Sequence, residues 1–143
     1  MSTRILIADD HAILRQGVQA LLEREEDMEG IGEAADGRTA VRLCPQLRPD
    51  IVLMDISMPD LNGIEATRQI VAAHPTTRVV VLSMHQDKRF VAQVLQAKAV
   101  GYLLKDCVSD ELVRAMRVVA SGQTYLSPAI AGTVVEDYLQ SGS

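Results

Sequence analysis

The chain alternates between two kinds of segment, and that alternation limits its fold more than any other feature. Arg4-Ile5-Leu6-Ile7-Ala8, Ile51-Val52-Leu53-Met54, Val79-Val80-Val81-Leu82 and Gly101-Tyr102-Leu103-Leu104 are short and almost wholly apolar, with a weaker run from Gly30 to Ala34. Each has the length of a strand, and the β-branched content of the Val79 run favours that assignment. A strand without a polar face has to be covered on both sides. Between the runs lie helix-length stretches with one apolar face. Ile13, Leu14, Val18, Leu21 and Leu22 share such a face in the first. Others are read through Ala40, Val41 and Leu43, from Ile64 to Ala73, from Phe90 to Ala97 and from Asp110 to Ala120. Pro45 and Pro49 bracket the end of the second helix, Ser109 is the expected N-cap of the fifth, and Gly122 its stop. Five βα repeats of this kind specify an α/β fold, a doubly wound parallel sheet of five strands with right-handed crossovers. Beyond Gly122 an extra amphipathic helix is expected from near Pro128, followed by a Ser/Gly tail that reads as the start of a linker.

Length and charge narrow the class. A chain of 143 residues suits one domain whose core needs no staple. Hydrophobic residues make up 48% and charged residues 23%, spread along the chain, which excludes a disordered segment and a membrane-embedded one. No apolar run approaches the roughly 20 residues that cross a bilayer. The N-terminus turns acidic at Asp9-Asp10, too early for a signal peptide, so a cytoplasmic location is expected. The net charge of −5 and the scattering of basic residues argue against this chain gripping a polyanion by itself. Cys44 and Cys107 lie far apart without metal or redox spacing and read as reduced thiols with no functional part.

The chemistry collects at strand ends. Asp9-Asp10 closes the first strand, Asp55 the third, Ser83 the fourth and Lys105 the fifth. In a parallel sheet all these ends face one edge, where open α/β folds place their ligand crevice. Taken singly, the acidic pair is as well explained by capping of the first helix, Ser83 by a strand-end hydroxyl, and Lys105 by a solvated surface charge. Those readings do not account for the convergence. Clustered carboxylates need a compensating cation. An all-oxygen donor set with no cysteine or histidine cluster suits Mg²⁺ better than zinc, which assigns Mg²⁺ to Asp9, Asp10 and Asp55. Lys105 and Ser83 supply a compact positive charge and a hydroxyl donor for phosphoryl oxygens. Asp55, on the middle strand and followed by a loop through Pro59 and Asn62-Gly63, is the candidate nucleophile for an aspartyl phosphate.

In order and spacing, the motifs IADDH, DISMPDLNG, VLSMH and GYLLKD resemble the receiver domain of bacterial two-component response regulators, over roughly residues 4 to 121. The resemblance implies a flavodoxin-like strand order 2-1-3-4-5. It also implies that Asp55 is the phosphoacceptor for a sensor histidine kinase, and that Asp9, Asp10, Asp55 and the Ser57 carbonyl hold Mg²⁺. Ser83 and Lys105 would bind the phosphate. Ser83 and Tyr102 would form the conformational switch, and Ser57 and His85 would tune dephosphorylation. Such a domain receives its phosphoryl group, with self-catalysed phosphorylation and dephosphorylation, and is not otherwise an enzyme.

The phrases GYLLKD and GQTYLSP look most like the NarL/FixJ subgroup, whose receiver precedes a LuxR-type helix-turn-helix domain. Residues 1–122 are then the receiver and 123–143 the linker helix toward a DNA-binding domain outside this chain. A phosphorylation-dependent homodimer and transcription regulation would follow, with the switch remodelling the face of the fourth helix, last strand and last helix. Asp106 stands where many receivers carry proline, so no cis bond is expected. Two rival readings share parts of this pattern. A stand-alone receiver would act by protein interaction only. A phosphatase resembling haloacid dehalogenases would want a second acid where Ser57 stands.

Overall fold

The computed structural model describes residues 2–58, 61–84 and 88–141. Strands β1 (Thr3–Ala8), β2 (Met28–Ala34), β3 (Ile51–Asp55), β4 (Arg78–Ser83) and β5 (Gly101–Leu104) alternate with helices α1 (Ala12–Glu23), α2 (Gly37–Leu47), α3 (Gly63–Ala73), α4 (Lys88–Gln96) and α5 (Val108–Ala120). A short strand β6 (Tyr125–Leu126) and helix α6 (Pro128–Ser141) follow. The sheet is parallel throughout and ordered β2-β1-β3-β4-β5-β6. The expected doubly wound sheet and its order are therefore present, extended by a sixth strand. Two residues carry no readable period, which is why β6 escapes a pattern search. Its backbone bonds are clear: Tyr125 N–H donates to the Val100 carbonyl at 3.1 Å and Ser127 N–H to the Tyr102 carbonyl at 2.9 Å.

Successive strand residues point to opposite faces, and the apolar strands fill both. Leu6, Val52, Met54, Val79, Val81 and Tyr102 face one layer, where Ala40, Ile70, Val94 and Ile130 pack from helices α2, α3, α4 and α6. Ile5, Ile7, Leu53, Val80, Leu82 and Leu103 face the other, against Val18 and Leu22 of α1 and Leu112 and Met116 of α5. None of these side chains is more than 1% exposed, so each valine, leucine, isoleucine and methionine contributes about 1.5–3 kcal/mol of burial.

Three local expectations are corrected. Ile13 is 84% exposed; α1 buries Val18 and Leu22 instead, and Ile13 lies on its outer side. Ser109 lies inside α5 and is not its cap. The chain leaves β5 through a 3-10 turn at Lys105–Cys107 and enters the helix two residues earlier than expected, with Cys107 at the cap position. β5 is not the sheet's last strand either, so the face expected as an output surface is partly lined by β6 and α6. The second helix does end between its two prolines. It runs through Pro45 to Leu47, and Arg48 closes it in the left-handed conformation (φ 49°) with its N–H on the Cys44 carbonyl. Among the described residues there is no cis peptide bond, and no helix is long and apolar enough to cross a membrane.

Candidate functional site

The parallel sheet delivers the polar strand ends to one edge. Asp55 is the last residue of β3 and is fully buried. Asp9 directly follows β1, its N–H held by the Ala34 carbonyl at 2.9 Å, and it too is fully buried. Ser83 ends β4, buried and in register with Leu104; Lys105 follows. After Asp55 the chain folds back so closely that α3 begins against the strand end. A Cβ at Gly63 would strike the Asp55 carbonyl oxygen and the Ile56 Cα, so only glycine lets the helix start there. Asn62 caps it, its side-chain oxygen accepting from Glu65 N–H at 3.0 Å.

At the edge, Lys105 Nζ lies 3.1 Å from Asp55 Oδ2 and 3.5 Å from Asp9 Oδ2. Its side chain is only 12% exposed, which removes the reading of Lys105 as a solvated surface charge. Ser57 N–H donates to Asp55 Oδ1 at 2.9 Å. His11 N–H donates to Asp9 Oδ1 at 2.7 Å, and Arg15 Nη1 to the Asp9 carbonyl at 2.6 Å. The second oxygen of each carboxylate is placed differently. Asp9 Oδ2 and Asp55 Oδ2 are buried without a hydrogen-bond partner and have the ammonium alone to face. Burial pushes the Asp55 carboxyl above its ordinary range, with the Asp9 charge adding in the same sense; the Ser57 N–H and Lys105 oppose this without cancelling it. Three carboxylates against one ammonium leave this edge with net negative charge and make a place for a further cation.

Of the expected residues, Asp9, Asp10, Asp55, Ser57 and Lys105 meet at this edge, and Ser83 stands one strand over from Asp55. Tyr102 lies deeper, fully buried within the sheet face covered by α4 and α6 rather than at the edge. His85 lies outside the described residues. Asp9 does serve the turn into α1, through the His11 N–H, but the N-cap itself is His11, with no side-chain cap. His11 is the residue that pattern reading passed over. Its ring folds back so that Nδ1 lies 3.1 Å from Asp9 Oδ1 and 3.1 Å from Asp10 Oδ1. Ligand-type atoms of Asp9, Asp10, His11 and Asp55 all fall within 4.8 Å of one another. The only sequence signal was adjacency in Asp9-Asp10-His11, which does not say which way a ring turns.

Residues 5–117 match the response regulator receiver domain family. The chain is 42% identical over 135 residues to the transcriptional regulatory protein DegU of Brevibacillus brevis, covering 94% of this chain and 57% of that one. This chain thus spans little more than half the length of that relative. A two-component response regulator of the LuxR family from Aurantimonas sp. SI85-9A1 superposes with a TM-score of 0.91 at 37% identity, covering 97% of this chain and 99% of that one. A structure of two RcsB dimers bound to two parallel DNAs matches at 25% identity and TM-score 0.86, over 94% of this chain and 69% of that one. With a buried aspartate at the end of the central strand, an acidic partner and a lysine beside it, and a receiver match over most of its length, the chain belongs to the receiver domains of two-component response regulators, of the kind found in LuxR-family transcriptional regulators.

Proposed function

We propose that this chain accepts a phosphoryl group on Asp55 from a phosphohistidine of a sensor kinase, and that the modified domain controls transcription through a helix-turn-helix domain in the longer protein. The observation that carries this reading is the Asp55 carboxylate, buried at the end of β3 with the Lys105 ammonium at 3.1 Å. A carboxylate oxygen attacks phosphorus; the new P–O bond forms as the P–N bond breaks, and the departing imidazole nitrogen keeps the electron pair and takes up a proton. Lys105 stays paired with the new phosphate, and the Ser83 hydroxyl donates to one of its oxygens. The donor set fits Mg²⁺: Asp9, Asp10, Asp55 and the Ser57 carbonyl would hold it, and three clustered carboxylates facing the one Lys105 ammonium support that assignment. When bound, the ion neutralises charge on the phosphoryl oxygens.

The added charge, near −2, draws Ser83 and Lys105 toward the phosphate. Tyr102, already buried, stays inward once Ser83 has moved, and the change reaches β6 and α6, which lie beside β5. Residues 1–122 act as the receiver and 123–143 as the linker helix. The domain is a substrate of the kinase rather than an enzyme on other molecules, and works in the cytoplasm. The similar protein RcsB sits on DNA as dimers, which supports a phosphorylation-dependent homodimer and DNA contact through the further domain. Ser57 and His85 set the lifetime of the phosphate.

Intact mass after incubation with acetyl phosphate tests the reading. One added phosphoryl group, dependent on Mg²⁺ and missing in Asp55→Asn, is the expected result. An adduct that persists in Asp55→Asn would place the acceptor elsewhere, and no adduct at all would reduce the chain to a binding module.

A further inference from the structure

His11 begins α1, and its side chain is 66% exposed, so packing does not hold the ring in place. Nδ1 stands 3.1 Å from a carboxylate oxygen of Asp9 and 3.1 Å from one of Asp10 at the same time, contacts whose sense the ring tautomer sets. An octahedral ion with bonds of about 2.1 Å sets neighbouring ligand atoms about 3.0 Å apart and opposite ones about 4.2 Å apart. The imidazole nitrogen makes that neighbouring spacing to two oxygens, and all four candidate ligand atoms lie within 4.8 Å. Separately, Asp9 and Asp55 are fully buried and share the single Lys105 ammonium, 3.5 and 3.1 Å from their Oδ2 atoms, so with Asp10 three carboxylates face one positive charge and the edge keeps a net negative charge that a divalent ion would offset.

We infer that His11 Nδ1 is a direct ligand of the divalent ion at this edge, and that it gives the site a preference for Mn²⁺ and Co²⁺ over Mg²⁺. With its proton on Nε2, the ring presents the Nδ1 lone pair to the ion. Nitrogen donors favour the transition metals, whereas a purely oxygen site with retained water suits Mg²⁺. This inference rests on the metal reading above and adds to it the ligand that sets selectivity.

The test uses the full chain loaded with Mn²⁺ and examined by pulsed EPR, with Mn²⁺ and Mg²⁺ affinities measured by calorimetry on the native chain and on His11→Phe. The native chain is expected to show ¹⁴N coupling of the strength of a coordinated imidazole. In His11→Phe that coupling is lost, Mn²⁺ still binds through the carboxylates, and the ratio of Mn²⁺ to Mg²⁺ affinity falls by about tenfold or more, the lower end of what losing even an outer partner costs. Bound Mn²⁺ without nitrogen coupling, coupling that survives His11→Phe, or an unchanged affinity ratio would each show that His11 only orients the carboxylates, and would overturn the inference. A native chain that binds neither ion overturns it together with the metal reading. A chain that shows the coupling but takes no phosphoryl group upholds it and removes the phosphoryl reading alone.

Discussion

Asp55 is held in the fold at a disadvantage when charged, since burial raises its carboxyl more than Lys105 and the Ser57 N–H lower it. Because the folded value lies above the unfolded one, the carboxyl's contribution to stability is complete below the unfolded value and is lost as pH rises through the folded value. Asp55→Asn, in metal-free buffer, should therefore raise Tm at pH 7 by roughly 3 °C, on the order of 1 kcal/mol for a chain of this size, and the gain should shrink as the pH is lowered toward 4. Thermal melts across that range check it; a variant less stable than the native chain at pH 7 would contradict the account. Gly63→Ala tests the close approach of α3, since the new methyl meets backbone rather than a yielding side chain. A loss of about 2 kcal/mol or more is expected from chemical denaturation. At this scale the site was legible wherever topology dictated position. Asp9, Asp55, Ser83 and Lys105 follow from the rule that parallel strands end on one edge. His11 was not legible, because a rotamer leaves no trace in spacing.

β6 and α6 are joined to the rest of the fold by a buried polar knot. Glu111 of α5 is 7% exposed, and its Oε1 accepts from Tyr125 Oη at 2.6 Å and from Ser127 Oγ at 3.2 Å. Ser127 Oγ also accepts from the Leu104 N–H at 3.2 Å, and the Ser127 carbonyl receives the first N–H groups of α6 from Ile130 and Ala131 at 2.9 Å. Burial alone would push the Glu111 carboxyl up, but the donors Tyr125, Cys107 and Ser127 together hold it below its usual range. That contribution is present above the unfolded value and lost as pH falls through the folded one. Ser127→Ala should cost about 1–2 kcal/mol and speed hydrogen exchange at the Leu104 amide, which loses its acceptor. An unchanged exchange rate there would mean that the serine does not hold the strand. The long strands and helices were readable because they repeat a pattern over several turns or pleats. β6 and the start of α5 were not, because a two-residue strand and a 3-10 lead-in depend on partners distant in sequence.

The molecule as a whole has two unlike edges. The carboxyl edge gathers Asp9, Asp55 and Lys105, while the opposite edge is tied shut by backbone and side-chain bonds. There, Arg4 N–H donates to Asp50 Oδ2 at 2.8 Å, Arg4 Nη1 to the Arg48 carbonyl at 2.8 Å, and Arg78 Nη1 to the Val119 carbonyl at 3.1 Å. Among the described residues the two fully buried carboxylates, Asp9 and Asp55, thus lie at one end of the sheet, with the central strands β1, β3 and β4 between two filled layers. Their amides should exchange only through global unfolding, and the amide of Tyr125 on β6 through a smaller opening. Equal protection at both places in native-state exchange would refute that division. The fold class was readable because fully apolar strands admit few other arrangements; the sheet's true margin was not. A domain boundary drawn at residue 122 falls between α5 and β6. Cutting the chain there would remove the β6 side of the pairing from β5 and uncover the layer that Ile130 fills. An unpaired apolar margin is a template for strands of other molecules, so a chain shortened to 122 residues should self-associate edge to edge in sedimentation, and its apparent oligomers would say nothing about signalling.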